Sequence, residues 1–285
     1  MNHLADDSDD YSTDEGEDVD IHALVREGTK EQVEWALSRD RFKLLNFKNK
    51  SHGRAPIHTA CTSGRLDMVL LLLRRGAEID FKDQNAQTPL HLAAQLGNTE
   101  LCLLLLESRA SVKCKDDKAW TCLHHAVSTN SYETAELLIA RSVDLSAEEQ
   151  LHGRTALHMA AEKGLEAMCE MLIARGADMY ASGDAVYSKT PLHLACIGGF
   201  VHVVRVLLKR GANLEALGGF LDKSPLHLAC EKGHTECAAA LLQAGAAVNA
   251  TGATHNGATP LHLVAQYGHP QTAALLLSFQ VSVCV

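Results

Sequence analysis

The sequence predicts an all-α protein, a solenoid of helix–turn–helix units with projecting loops. Three observations lead to this prediction. Seven segments share a histidine, and successive histidines lie 33, 33, 34, 35, 34 and 35 residues apart. A turn residue follows each histidine six positions later, glycine in six segments and Asn130 in the third. A second apolar run, such as 70–73 or 103–106, then completes the period. A period of this length indicates stacked units, none of which can close a core alone.

Each unit opens with a recognisable helix start. The seven segments are APIH (55–58), TPLH (88–91), TCLH (121–124), TALH (155–158), TPLH (190–193), SPLH (224–227) and TPLH (259–262). Threonine, or Ser224, is expected to cap the first helix with its hydroxyl. Proline follows at the first helical position in five units, where its missing N–H is harmless. The sixth proline, Pro270, fits the start of a second helix.

The second helices also have an expected end. Glycines 18 residues after the histidine favour a left-handed C-terminal turn, and they are Gly76, Gly176, Gly211 and Gly245. Arg109, Ser142 and Gln280 replace that glycine, so we expect strained or differently shaped turns there. An upstream unit is degenerate but in register, because His22 is followed by Gly28 at the usual offset. In this unit Trp35 is expected to lie in the core.

This pattern resembles the ankyrin-repeat family, whose signature is Thr-Pro-Leu-His-x-Ala with a later Gly-Ala. The resemblance covers residues 19–285 and implies one degenerate unit and seven regular ones. Their expected bounds are 19–51, 52–84, 85–117, 118–151, 152–186, 187–220, 221–255 and 256–285. The resemblance also implies that the imidazoles belong to a polar network that ties neighbouring units together. The structural histidines are then His22, His58, His91, His124, His158, His193, His227 and His262.

The repeated HLAC segments, at 193–196 and 227–230, pose a question of chemistry. A histidine three residues before a cysteine could be half of a metal site or an activated thiol. However, the cysteine position holds Cys61, Cys196 and Cys230 in three units and Ala94, Val127, Ala161 and Ala265 in the others. A position that exchanges cysteine with alanine and valine requires a small apolar side chain. These pairs are therefore interpreted as scaffold.

Other catalytic or ligand-binding patterns are missing from the sequence. Cys114, Cys122, His124 and His125 form the densest group of cysteine and histidine, but their spacing is not that of a zinc module. No phosphate-binding glycine loop, nucleophile elbow or metalloprotease motif occurs. We therefore predict no catalytic residue, no cofactor and no metal, and hence a protein that is not an enzyme.

The resemblance implies that a concave face, made of loop tips and the exposed side of the first helices, binds one or more proteins. Its positions are the residue before threonine and those four and five after histidine. The expected partner-binding residues, together with the apolar side chains of two longer loops, are Leu96, Trp120, Arg154, Lys163, Tyr187, Lys189, Ile197, Phe220, Leu221, Lys223 and Tyr267. Trp120 has the greatest weight because aromatic anchors are common at interfaces. The alternative is that its ring packs on a neighbouring loop.

Two loops, 180–189 and 213–223, are longer and more apolar than exposed segments usually are. Extra residues of repeat proteins fall on loops, often on the binding side. Tyr180, Val186, Tyr187, Leu217, Phe220 and Leu221 could form a patch across these loops, or they could pack on one another. A partner surface centred on the third to sixth regular units is the favoured interpretation.

Charge and cysteine content limit the possible partners and the cellular location. Residues 1–20 hold nine acids and no lysine or arginine, and the rest of the chain is neutral, with 26 acids against 26 bases. The segment 1–18 is expected to be a disordered acidic tail, in which Ser12 could accept phosphate. The sequence has no basic stripe, so nucleic-acid binding is disfavoured. The longest apolar runs are too short to span a membrane. Nine cysteines without a CxxC pair, and no signal-peptide pattern, favour a reducing cytoplasmic or nuclear location, and a monomer is expected.

Three functional hypotheses remain open. The leading one is a non-enzymatic scaffold or adaptor that binds a protein through the concave face. The second is a regulatory inhibitor or adaptor whose acidic tail blocks a basic site. The third is a ubiquitin-ligase substrate adaptor, which would need a further C-terminal module. The apolar end LLLSFQVSVCV lacks a polar capping helix, so we expect either a longer product or a docked C-terminus, for which Val283 and Val285 loosely fit a strand-addition ligand.

Overall fold

The computed structural model describes residues 19–183, 188–219, 222–251 and 257–283, and of residues 41, 42 and 280–283 the backbone alone. The expected acidic tail, 1–18, lies outside these residues. The chain divides into two compact units at Ala77 and Glu78. Throughout the described part the regular structure is helical, apart from one isolated antiparallel bridge between Gly218 and Lys223. The all-α prediction is confirmed.

The first compact unit contains five helices. They are α1 (Ile21–Glu27), α2 (Lys30–Arg39), α3 (Arg41–Leu45), α4 (Pro56–Thr62) and α5 (Leu66–Arg74). Helices α1 and α4 pack side by side, and each contacts the helix that follows it along the chain. Trp35 in α2 is 54% exposed, with the Arg39 guanidinium 4.8 Å from its ring centroid. The expectation of a core position was wrong, because α2 buries Val33, Ala36 and Leu37 on its other side.

The second compact unit repeats a pair of short helices. The pairs are α6 (Pro89–Gln95) and α7 (Thr99–Glu107), α8 (Cys122–Ser128) and α9 (Tyr132–Ala140), α10 (Ala156–Glu162) and α11 (Glu166–Ala174), α12 (Pro191–Gly198) and α13 (Val201–Lys209), α14 (Pro225–Glu231) and α15 (Thr235–Gln243), and α16 (Pro260–Tyr267) and α17 (Pro270–Val283). The first helices of successive pairs contact one another along the row from α6 to α16.

The first helices, except α16, are buried almost all round. In α6 every residue from Pro89 to Ala94 is buried, and exposure begins at Gln95 and Leu96. The cause is the sequence, since the leucine, histidine and alanine positions have no charged side chain that must reach water. Only the last turn and the preceding loop are therefore available for recognition.

The helix starts combine proline with a capping residue and a histidine. Proline occupies the first turn of α4, α6, α12, α14 and α16, and Pro270 begins α17, as predicted. Each threonine, like Ser224, forms a capping box with the histidine at the third helical position, whose imidazole accepts the amide of the capping residue. Each threonine hydroxyl also lies 2.8–2.9 Å from Nδ1 of that histidine.

The ends of the second helices follow the left-handed pattern. Gly76, Gly176, Gly211 and Gly245 have φ between 89° and 97°, as predicted. Arg109 and Ser142 hold the same kind of turn at φ 73° and 63°, which strains a residue that has a Cβ. At Gln280 the expected turn is absent, because α17 continues to Val283.

Replacing Arg109 with glycine should stabilise the protein. The side chain is exposed and the backbone is left-handed, so the change relieves strain and removes little packing. We expect a gain of about 0.5–1 kcal/mol in the free energy of unfolding, measured by urea titration. Arg141→Gly is the matched control, because Arg141 has φ −96°. An equal gain in both variants would show that backbone strain at Arg109 is not the cause.

Candidate protein-binding face

In five regular repeats, those of His91, His124, His158, His193 and His227, the histidine links its repeat to the next. The Thr88 amide donates to Nδ1 of His91 at 3.1 Å, and Nε2 of His91 lies 3.2 Å from the carbonyl oxygen of Trp120. Because Nδ1 accepts, Nε2 carries the proton and donates. The same bridge connects His124 to Arg154, His158 to Lys189, His193 to Lys223 and His227 to Ala258, at 3.0–3.3 Å. The residue before each threonine is thus held by the preceding repeat.

The other three histidines also bond backbone groups. His22 places Nδ1 2.7 Å from the Thr59 hydroxyl and Nε2 2.9 Å from the Phe47 carbonyl. His58 is buried and accepts the Ala55 amide through Nδ1 at 3.2 Å. His262 is exposed and accepts the Thr259 amide in the same way. All eight histidines predicted to be structural therefore bond the backbone at a helix start or in a loop.

Burial keeps the bridging imidazoles neutral. It lowers the pKa of His91, His124 and His193 to about 4, because the charged form cannot be solvated there. Burial also raises the pKa of the Cys230 thiol to about 12 and that of Cys196 well above its usual value. A protonated buried thiol is not a nucleophile. In the described part of the chain, no group of three or more histidine, cysteine or acidic side chains is arranged to hold a metal ion.

The HLAC segment allows a direct comparison of its two polar residues. Ala replacing His193 removes bonds to the Thr190 amide and to the Ala216 and Lys223 carbonyls, which should destabilise the protein by about 3 kcal/mol or more. Ala replacing Cys196 should cost about 1 kcal/mol or less, since other repeats hold alanine there. Urea unfolding measures both values. If both substitutions lowered the free energy of unfolding by the same amount, His193 would not be the more important of the two residues for stability.

Stability should fall in mild acid. The unfolded chain takes up protons near pH 6.5, whereas His91, His124 and His193 in the folded protein do so only near pH 4. The stabilising effect of the neutral imidazoles is complete above about pH 7. It is lost as the pH falls from 6.5 towards 4, by up to about 1.4 kcal/mol per pH unit for each histidine. Urea midpoints at pH 7.5 and 5 test this, and His193→Gln, which keeps a donor, should show a shallower fall.

The predicted partner-binding residues differ in exposure. Leu96 is 53% exposed and Tyr267 is 48% exposed, and the Lys163 side chain is also open to solvent. Those in intermediate positions are Trp120, Arg154, Lys189 and Ile197. Lys223 is 8% exposed, and its ammonium bonds Glu231. Tyr187, Phe220 and Leu221 lie outside the described residues, as does Val186. Of the expected loop patch, Tyr180 and Leu217 are exposed, and the Tyr180 hydroxyl donates to the Gly211 carbonyl at 3.1 Å.

Trp120 borders a groove of about 380 Å³ that is lined mainly by polar side chains, among them Gln87, Gln95 and Lys118. The indole ring lies 5.1 Å from the His125 ring, measured between centroids, and 6.0 Å from the Lys118 ammonium. Each interpretation of Trp120 is therefore partly met. The ring packs on neighbouring side chains, and it also forms one wall of an open groove.

Two residues of this groove were missed as site residues from the sequence. His125 is buried with Nε2 3.0 Å from a carboxylate oxygen of Asp116. Burial alone would raise the pKa of Asp116, but hydrogen bonds from His125 and from the Trp120 and Lys118 amides lower it. The sequence contains a sign of this pair, because His125 is the one histidine at its repeat position. The other regular repeats hold Thr59, Leu92, Met159, Leu194, Leu228 or Leu263 there. The pair orients the loop that carries Trp120.

Comparisons with known proteins agree with the helical repeats. The family model described as ankyrin repeats (3 copies) matches residues 21–116, 90–183, 142–218, 182–252 and 218–284. The chain therefore belongs to the ankyrin-repeat family. No curated protein sequence matched the chain. Within the described residues no helix has the length and apolar character needed to cross a membrane.

Two solved structures are similar. The ankyrin repeat domain of human ASB11 is 27% identical with a TM-score of 0.68, and the match covers 78% of this chain and 98% of that one. The ankyrin repeat domain of Bcl-3, described as a unique member of the IkappaB protein family, is 28% identical with a TM-score of 0.67. That match covers 74% of this chain and 94% of the Bcl-3 chain. The ankyrin repeat is a general protein-interaction fold.

Proposed function

We propose that the protein is a non-enzymatic adaptor that binds a protein partner through its first-helix face. In the second compact unit this face comprises the residue before each threonine or Ser224 and those four and five after each histidine, the positions that the resemblance assigns to a concave face. The observation that supports the proposal most strongly is the open groove beside Trp120. Exposed Leu96 adjoins Gln95, which lines that groove.

The energetics of this surface favour a partner. Covering apolar surface contributes about 25 cal/mol per Å², and exposed Leu96 offers such surface next to Gln95 of the groove. The imidazole bridges hold the loop backbones in place before a partner arrives, so little ordering would oppose binding. No catalytic group is needed, since the buried thiols and imidazoles of the repeats serve packing and bridging.

Substitution on this face should weaken partner binding without unfolding the protein. We expect Leu96→Ala combined with Trp120→Ala to lower the affinity at least tenfold, because hot-spot side chains each contribute about 1–2 kcal/mol or more. Partners would be captured from lysate with the intact chain, identified by quantitative mass spectrometry, purified and measured by calorimetry. Leu96→Ala alone keeps the Trp120 packing and should still weaken binding.

Tyr132→Ala is the matched control. Tyr132 is an exposed aromatic residue of α9, the second helix of the repeat that contains Trp120. Circular dichroism would verify that each variant retains its helices. If a purified partner binds the Leu96 and Trp120 variants as tightly as the Tyr132 variant, the first-helix face is not the binding site.

A further inference from the structure

The first compact unit contains a pocket of about 450 Å³ beside the start of α1. Residues of α1, of α3 and of the loop that follows α3 line it, and they include Val19, Arg26, Lys43, Phe47, Asn49 and Lys50. The groove beside Trp120 belongs to the other compact unit. An inference from this pocket therefore goes beyond the proposed function.

Three cations of the pocket have no carboxylate partner among the described residues. Arg26, Lys43 and Lys50 are all exposed, and no ion pair in the described part of the chain involves them. Asp20 is the one acid among the described lining residues, and it accepts two amides at the start of α1, at 3.0 and 3.1 Å. The lining therefore has more positive than negative charge.

The neutral groups of the pocket also suit a peptide that carries carboxylates. The side-chain oxygen of Asn49 accepts the amides of His52 and Arg54, both at 3.1 Å, so the NH₂ group of Asn49 is left to donate. Phe47 is 43% exposed and gives the pocket an apolar wall. Guanidinium, ammonium and amide groups all donate to carboxylate oxygens, and an apolar wall reduces the screening of such pairs by water.

The chain has an acidic segment directly before the pocket. We define it as residues 14–18, with the sequence DEGED and the acids Asp14, Glu15, Glu17 and Asp18. Val19, the next residue, lines the pocket. Since an extended chain advances at most about 3.6 Å per residue, the Cα atom of Glu15 is within about 14 Å of that of Val19. So short a tether gives these carboxylates a high effective concentration at the pocket.

We propose that the acidic segment occupies this pocket of its own chain, with carboxylates paired to Arg26, Lys43 and Lys50. This segment is a better occupant than the acids at 6–10, because effective concentration falls as the tether lengthens. It is also a better occupant than an acidic partner, which has no tether. The segment thus acts as an intramolecular competitor, and an acidic partner gains the pocket only when the segment leaves.

A labelled peptide tests whether the segment fills the pocket. The probe has the sequence of residues 12–19, STDEGEDV, and fluorescence anisotropy measures its binding to the full chain at 50 and 150 mM salt. The near variant carries Asp14→Asn, Glu15→Gln, Glu17→Gln and Asp18→Asn, which empty the pocket. We expect the probe to bind the near variant at least tenfold more tightly than the intact chain, and more weakly at the higher salt concentration.

A far variant is the matched control for charge. It carries Asp6→Asn, Asp7→Asn, Asp9→Asn and Asp10→Asn, which remove the same charge from the chain and keep the acidic segment. We expect it to bind the probe within twofold of the intact chain. If the near and far variants bind the probe equally well, repulsion by the whole acidic tail explains the difference and the inference is wrong.

Substitution of the cations locates the site. Within the near variant, Lys43→Gln with Lys50→Gln should weaken probe binding at least tenfold. Lys30→Gln with Arg74→Gln removes the same charge from exposed positions of this compact unit outside the lining, and it should change the affinity less than twofold. Equal losses in the two pairs of substitutions would contradict binding in this pocket. Circular dichroism would verify that each variant keeps its helices.

Other occupants of the pocket give different results. The inference is wrong if the probe does not bind the near variant, or if a peptide with asparagine and glutamine in place of the acids binds it as tightly. Displacement of the probe by inorganic phosphate as readily as by unlabelled peptide would assign the pocket to small anions. Light scattering should show that the intact chain is a monomer. A dimer that separates in the near variant would place the segment in the pocket of a second copy and overturn the intramolecular contact.

Discussion

The hydrogen bond from the imidazole Nε2 of one repeat to a backbone carbonyl of the next is the interaction on which the second compact unit depends. A pair of helices as short as α6 and α7 cannot enclose a core, so its stability depends on its neighbours. The imidazole accepts a helix-start amide through Nδ1 and donates forward through Nε2. One buried side chain thereby fixes both the helix start and the loop ahead of it, and no buried polar side-chain atom in the described residues lacks a partner.

The same bond holds the backbone of a loop residue whose side chain belongs to the candidate binding face. The carbonyl that accepts it belongs to the residue before threonine, whose backbone position is thereby fixed while its side chain is free to vary. Trp120, Arg154, Lys189 and Lys223 all occupy this position, although one is aromatic and three are basic. The repeat can therefore change its surface chemistry without changing its frame, and the groove beside Trp120 is one result of that freedom.

The frame restricts which groups can react. Burial keeps the imidazoles neutral and the thiols protonated, as the pKa of about 4 for His193 and the raised pKa of Cys196 illustrate. A histidine that is committed at both nitrogens cannot also activate a cysteine. The HLAC segments therefore contribute packing at Cys196 and bridging at His193, and a binding role remains for the side chains that reach solvent.

The sequence by itself determined the repeat, its helix pairs, the proline positions and the left-handed glycines, because these follow from local spacing and backbone preference. It also indicated which positions face outwards. Only the tertiary structure decided what those side chains meet. The pairing that buries Lys223 against Glu231, the contact of His125 with Asp116 and the exposure of Trp35 depend on the geometry of side chains 8, 9 or more residues apart or on neighbouring helices. Periodicity specifies where a helix lies, but not which of several possible partners a long or polar side chain selects.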